Sequence, residues 1–168
     1  MRHLRSLVAF VPIAVASAQT VVPPFYEGAE GSFASSNGIG CGANQSRFLQ
    51  FTNSGGKLVS GLSFRRDGLT PTTFPAQAIV ADIYCSAGAR DYDSIDPIFD
   101  NNHLASTKVQ VVTTGVFVFP ESAPGPIPNA FAYRFPFDRA FSHSGGRPLC
   151  WEIVTQYRTT SQPFTLDM

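Results

Sequence analysis

Charge is scarce in this sequence. Asp, Glu, Lys and Arg make up 14% of the 168 residues, 12 acidic against 12 basic, for a formal net charge of zero. No basic field exists to hold a phosphate backbone and no acidic block reads as a solvating tail, so nucleic acid is excluded as a partner. Long apolar runs are missing as well: none approaches the roughly 20 residues that a membrane-spanning helix requires. Histidine is confined to His3, His103 and His143, too few and too scattered for a metal held by several imidazoles. The three cysteines, Cys41, Cys85 and Cys150, show no Cys-x-x-Cys spacing and no nearby histidine, which leaves structural zinc without a ligand set. A nucleophile elbow of the Gly-x-Ser-x-Gly type is also lacking, since Ala140 stands where the first glycine would precede Ser142. His143 beside Ser144 reads as a polar turn, because neighbours in a turn point apart and catalytic triads are spatial constellations.

What the sequence does contain begins with an address. Arg2, His3 and Arg5 form a positive start, Leu7 to Val15 an apolar stretch broken by Pro12, and Ala16-Ser17-Ala18 a small-x-small site. This pattern predicts a signal peptide over 1–18, cleavage after Ala18, and a secreted protein, extracellular or periplasmic. The remaining 19–168 suit one domain, large enough to bury a core without help from metals or dense cross-links. Loss of Arg2 and Arg5 leaves 10 basic against 12 acidic residues. An oxidising compartment favours disulfides. Three cysteines cannot all pair internally, and of the three possible bridges Cys85–Cys150 is favoured, because both lie in or at the end of strand-like segments while Cys41 lies in a Gly-rich loop. The leftover thiol either pairs with another chain or awaits a fourth cysteine beyond Met168, since Thr165-Leu166-Asp167-Met168 follows a Pro-Phe pair without a closing element; a truncated carboxyl end is expected.

Periodicity is that of strands. Phe131, Tyr133, Phe135 and Phe137 alternate with Ala132, Arg134 and Pro136, which puts every aromatic on one face. Leu58 to Arg65 and Ile79 to Tyr84 alternate in the same way, and Arg47 to Phe51, Val109 to Thr113, Val116 to Phe119 and Leu149 to Tyr157 are rich in β-branched and aromatic residues. Turn chemistry separates these seven segments: Asn53-Ser54-Gly55-Gly56, Asp67-Gly68, the proline-rich 120–128 and Ser144-Gly145-Gly146. The fold expected is an all-β antiparallel β-sandwich with one short helix after Ser94, capped by Asp93 or Ser94, with Pro97 in its first turn and Ile98, Phe99 and Leu104 packed on the sheets.

Three chemistries deserve weighing. Glycoside hydrolysis needs two carboxyl groups about 5 to 10 Å apart, and Glu152 with Asp138 or Glu30 are the candidates; the competing reading of Glu152, between Trp151 and Ile153, is an outward-facing strand residue. Calcium requires hard oxygen ligands, and Asp91, Asp93, Asp96 and Asp100, with Asn101 and Asn102, concentrate them. This is no EF-hand, since Ile95 occupies the third ligand position, and caps in a solvated loop account for the same residues. Sugar rings stack on aromatic faces, which makes Tyr84, Tyr92, Trp151 and Tyr157 candidate contacts, with a buried core anchor as the competing role for Trp151.

Several runs resemble a group of uncharacterised secreted proteins of planctomycetes and similar environmental bacteria. The likeness is carried by Glu30-Gly31-Ser32 with Ser36-Asn37, Arg47 to Phe51, Leu62-Ser63-Phe64-Arg65-Arg66-Asp67-Gly68, Asp100-Asn101-Asn102 before Val109 to Pro120, and Phe135 to Phe141 leading to Leu149-Cys150-Trp151-Glu152. The resemblance implies a secreted, jelly-roll-like sandwich; it carries no catalytic residue, substrate or cofactor. Two functions are therefore expected in competition: a non-catalytic extracellular module that binds a glycan or a cell-surface partner, and a secreted glycosidase-like hydrolase using paired carboxylates.

Overall fold

A computed structural model describes residues 45–167 together with Ala29, Ala34, Ser35 and Ile39. The signal peptide expected over 1–18, Glu30 and Cys41 lie outside the described residues. Among the described residues eight strands follow one another: β1 (Ala34–Ser35), β2 (Ser46–Thr52), β3 (Lys57–Phe64), β4 (Gln77–Ala87), β5 (Val109–Phe119), β6 (Tyr133–His143), β7 (Leu149–Arg158) and β8 (Leu166–Asp167). One sheet has the order β2-β7-β4-β5; β3 pairs with β6 and β1 with β8. A bridge between Arg66 and Leu166 ties β8 to the chain just after β3. The two layers therefore read β1-β8-β3-β6 against β2-β7-β4-β5, antiparallel throughout, which is the strand order of a jelly roll.

The alternating aromatics build the core as their spacing demands. Tyr133 and Phe135 of β6 are buried and meet β5 across the sandwich, with Phe117–Phe135 ring centroids 4.7 Å apart and Phe119–Tyr133 5.2 Å apart. Such pairs contribute about 0.5–1.5 kcal/mol each beyond the area they bury. Trp151 completes the core from β7, edge-on to Phe48 and Phe64 at 5.4 and 5.5 Å, and its Nε1 donates to Thr52 Oγ1 at 3.1 Å.

Two expectations change. The separate runs 109–113 and 116–119 are one strand, β5, kinked at Thr114, whose φ is +50°. Its register against β4 shifts between Ala81 and Ile83, and the freed Thr114 N–H donates to Asp82 Oδ1 at 2.7 Å. Gly115 sits in this kink because a Cβ there would collide with Val112 and Phe117. The helix after Ser94 does not form either. Its place is taken by three 3₁₀ turns, Tyr92–Ser94, Phe99–Asn102 and Ala105–Thr107. Asp96 is turned away from helical geometry by Pro97 behind it, and the buried Asn102 amide takes up local backbone groups, accepting from Asp96 N at 2.8 Å and donating to Asp96 O at 2.9 Å.

Candidate functional site

The turn-rich segment between β4 and β5 lies over the outer face of the four-stranded sheet and seals a polar chain against it. Ser86 is the penultimate residue of β4, His103 follows the second 3₁₀ turn, and Glu152 lies on the inner strand β7 of the four-stranded sheet. Ser86 Oγ is 2.8 Å from His103 Nδ1, and His103 Nε2 is 3.1 Å from Glu152 Oε2. A carboxylate only accepts, so Nε2 carries the proton; in a neutral ring Nδ1 then accepts from the Ser86 hydroxyl. Beyond Glu152 the chain reaches the surface: Arg47 Nε donates to Oε1 at 2.5 Å, Lys108 Nζ stands 3.7 Å from Oε2, and both cations also meet Asp100, at 3.6 and 2.8 Å. Arg47 lies over the Phe99 ring at 4.7 Å and Lys108 over Tyr84 at 4.9 Å.

Burial works to raise the Glu152 pKa, but hydrogen bonds from His103 and Arg47, with the charges of Arg47 and Lys108, outweigh it and hold the carboxyl below its ordinary range. Lys108 lowers Asp100 in the same way. In connectivity this is a serine–histidine–carboxylate chain, with the ring nitrogens exchanged relative to the protease arrangement. In accessibility it is not: Ser86 and Glu152 are 0% exposed and His103 4%. Sequence reading singled out Glu152 but missed Ser86 and His103, which stand 17 and 49 residues from their partners in the chain and share no local pattern. Glu152 does project from the outer face of the sheet, but that face is covered, so the carboxyl is buried where an outward-facing strand residue is expected to meet water.

The other sequence-predicted residues scatter. Asp138 is exposed on β6 and accepts from Thr113 N at 3.2 Å, so it does not meet Glu152. The four aspartates are used singly: Asp91 begins the first 3₁₀ turn, Asp93 is exposed in it, Asp96 pairs with Arg90 at 2.9 Å, and Asp100 serves Arg47 and Lys108. Among the described residues no three metal-ligating side chains converge, so these aspartates do not form the calcium cluster considered for them. Trp151, 4% exposed, belongs to the core and is corrected as a ligand contact, while Tyr92 and Tyr157 are 70% and 54% exposed and Tyr84 is half-buried beneath Lys108. The Cys85–Cys150 bridge is corrected too, since both thiols are free. Cys85 opposes Trp151 and Cys150 opposes Ser86 on neighbouring strands, so the two side chains leave the sheet on opposite faces. Burial pushes both thiols up to about 12.

A separate opening lies between the two layers, at the end of the sandwich where the β6–β7 turn closes. It measures about 400 Å³, with residues 139–144 along one side and Ala87, Thr107 and Val109 on the other. Among the described residues no helix is long and apolar enough to cross a membrane. Comparison with protein-family models, with curated proteins and with solved structures found no match to this chain.

Proposed function

We propose that this is an exported, non-catalytic binding module, akin to the secreted jelly-roll-like proteins it resembles, that recognises an extracellular glycan or a cell-surface partner through the segment between β4 and β5. The observation that carries this reading is a rigidly held loop with apolar side chains turned to water. Ser94 N donates to Asp91 O at 3.1 Å while Asp91 N donates to Ser94 Oγ at 3.2 Å; Asn102 clamps Asp96, and the loop's base is bonded to the sheet by Ala89 N to Asn102 O and Leu104 N to Ala87 O. On that frame Tyr92, Ile95 and Ile98 remain 70%, 52% and 61% exposed. Rigid loops on a sheet scaffold lose little entropy on binding, and exposed aromatic and aliphatic side chains are the usual source of contact energy.

The non-catalytic part of the reading is supported by the sealing of Ser86, His103 and Glu152, which denies a substrate access to hydroxyl, base or acid. The test combines a glycan array with capture of partners from native extracellular material, using the full chain and a Tyr92→Ala/Ile98→Ala variant. Specific binding lost at least tenfold in the variant, with unchanged thermal unfolding, is expected. Equal binding by the variant, or covalent labelling of Ser86 by a fluorophosphonate, would overturn it.

A further inference from the structure

We propose that the open half of the outer face of the four-stranded sheet binds a neutral saccharide chain, with Asp82, Gln110, Gln156 and Tyr157 as its contacts. The β4–β5 segment covers this face over Ser86 and Glu152 and leaves the rows beyond them to water. There a polar row and an apolar row lie side by side. In the polar row, the Asp82 carboxylate on β4 accepts from Gln110 Nε2 on β5 at 3.2 Å and from Gln156 Nε2 on β7. In the apolar row, Val80 is the register partner of both Val116 and Tyr157, which are 65% and 54% exposed. The rows stand two residues apart along β4, roughly 7 Å at the usual rise of a strand.

Pairing is irregular on both sides of Asp82. The register against β7 shifts between Val80 and Ala81, and against β5 between Ala81 and Ile83. The first shift leaves the consecutive residues Gln156 and Tyr157 both exposed, between the buried Thr155 and Arg158, where an unbroken strand would send one of the two inward. The second accompanies the Thr114 kink, whose N–H on Asp82 takes one of the roughly four acceptor positions of the carboxylate. The two glutamine amides are not needed for that kink. With each Nε2 turned to Asp82, neither Oε1 accepts a bond among the described residues, and each amide keeps a second N–H. A hydroxyl both donates and accepts, so these planar groups suit the polar edge of a sugar ring, while Tyr157, Val80 and Val116 offer apolar surface to its C–H face. An anion would meet the Asp82 carboxylate instead, and the nearby cations Arg47 and Lys108 are already engaged by Glu152 and Asp100. The face lies off the β4–β5 loop, and the site does not rest on recognition through that loop.

The test uses the full chain, with calorimetric titration of the neutral hexaoses of cellulose, xylan, laminarin, mannan and chitin, polygalacturonate as the anionic comparison, and methyl resonances recorded alongside. Binding of at least one neutral hexaose, weaker or no binding of polygalacturonate, and shifts of the Val80 and Val116 methyl resonances are expected. Tyr157→Ala and, separately, Gln156→Ala should each weaken binding at least fivefold with an unchanged midpoint of thermal unfolding, since both side chains are exposed. Silence from all five hexaoses, tighter binding of polygalacturonate, or undiminished binding by both variants would overturn the site. Methyl shifts confined to Ile95 and Ile98 would overturn it too, by placing the sugar on the loop. Failure on the sheet face leaves the loop-based reading standing, and failure of the loop variants leaves the sheet face standing.

Discussion

Glu152 shows how little a residue's neighbours in sequence say about its environment. An acid between Trp151 and Ile153 on a strand is legible as facing away from the core, and it does. Its burial is not legible, because the cover comes from His103, Arg47 and Lys108, each distant in sequence. The carboxyl's depressed pKa fixes a sign. A carboxylate favoured in the folded state contributes stability that is fully present above its ordinary value of 4.5 and is lost as pH falls through the lower folded value. Acid titration of unfolding should therefore show a loss below pH 4.5 in the native chain that is smaller in Glu152→Gln, followed by circular dichroism; identical acid profiles would count against the network. Ser86→Ala should cost about 1–2 kcal/mol, the value of a buried hydroxyl that donates to imidazole, read from urea denaturation.

At the scale of elements, strands declare themselves wherever one face packs and the other meets water, which is why β3, β4 and β6 stand close to their period-two runs. The signal weakens where both faces are covered: β7 is buried continuously from Leu149 to Ile153, and its alternation disappears. It also breaks at bulges. Composition splits β5 in two at Thr114 and Gly115, whereas pairing with β4 carries it through. Gly115→Ala should destabilise the fold by about 1–3 kcal/mol, the usual cost of overpacking, since Val112 and Phe117 occupy the space of the new methyl group; an unchanged unfolding midpoint would mean that the kink relaxes freely. The segment between β4 and β5 misleads as a helix because its caps and Pro97 suit a first turn. Side-chain amides and carboxylates then take over the backbone bonds that a helix would have made.

For the molecule as a whole, the aromatic alternation and the turn spacing were enough to read a sandwich, and the pairing order completes it as a jelly roll. The Ser86–His103–Glu152 chain was not legible, since its members come from segments joined only by the fold. Cysteine chemistry belongs at this scale, because register decides it. Cys85 and Cys150 project from opposite faces and are buried, so both should resist alkylation in the native protein and react after denaturation, as peptide mass mapping would show; an intact Cys85–Cys150 peptide pair would contradict the sheet register. The Ser86–His103–Glu152 chain serves the fold by clamping the loop to the sheet. The most direct measurement is equilibrium urea unfolding of Glu152→Ala beside the native chain at neutral pH. A loss of about 2–4 kcal/mol is expected, from the unmatched His103 N–H and the emptied space, and stability equal to that of the native chain would contradict the claim.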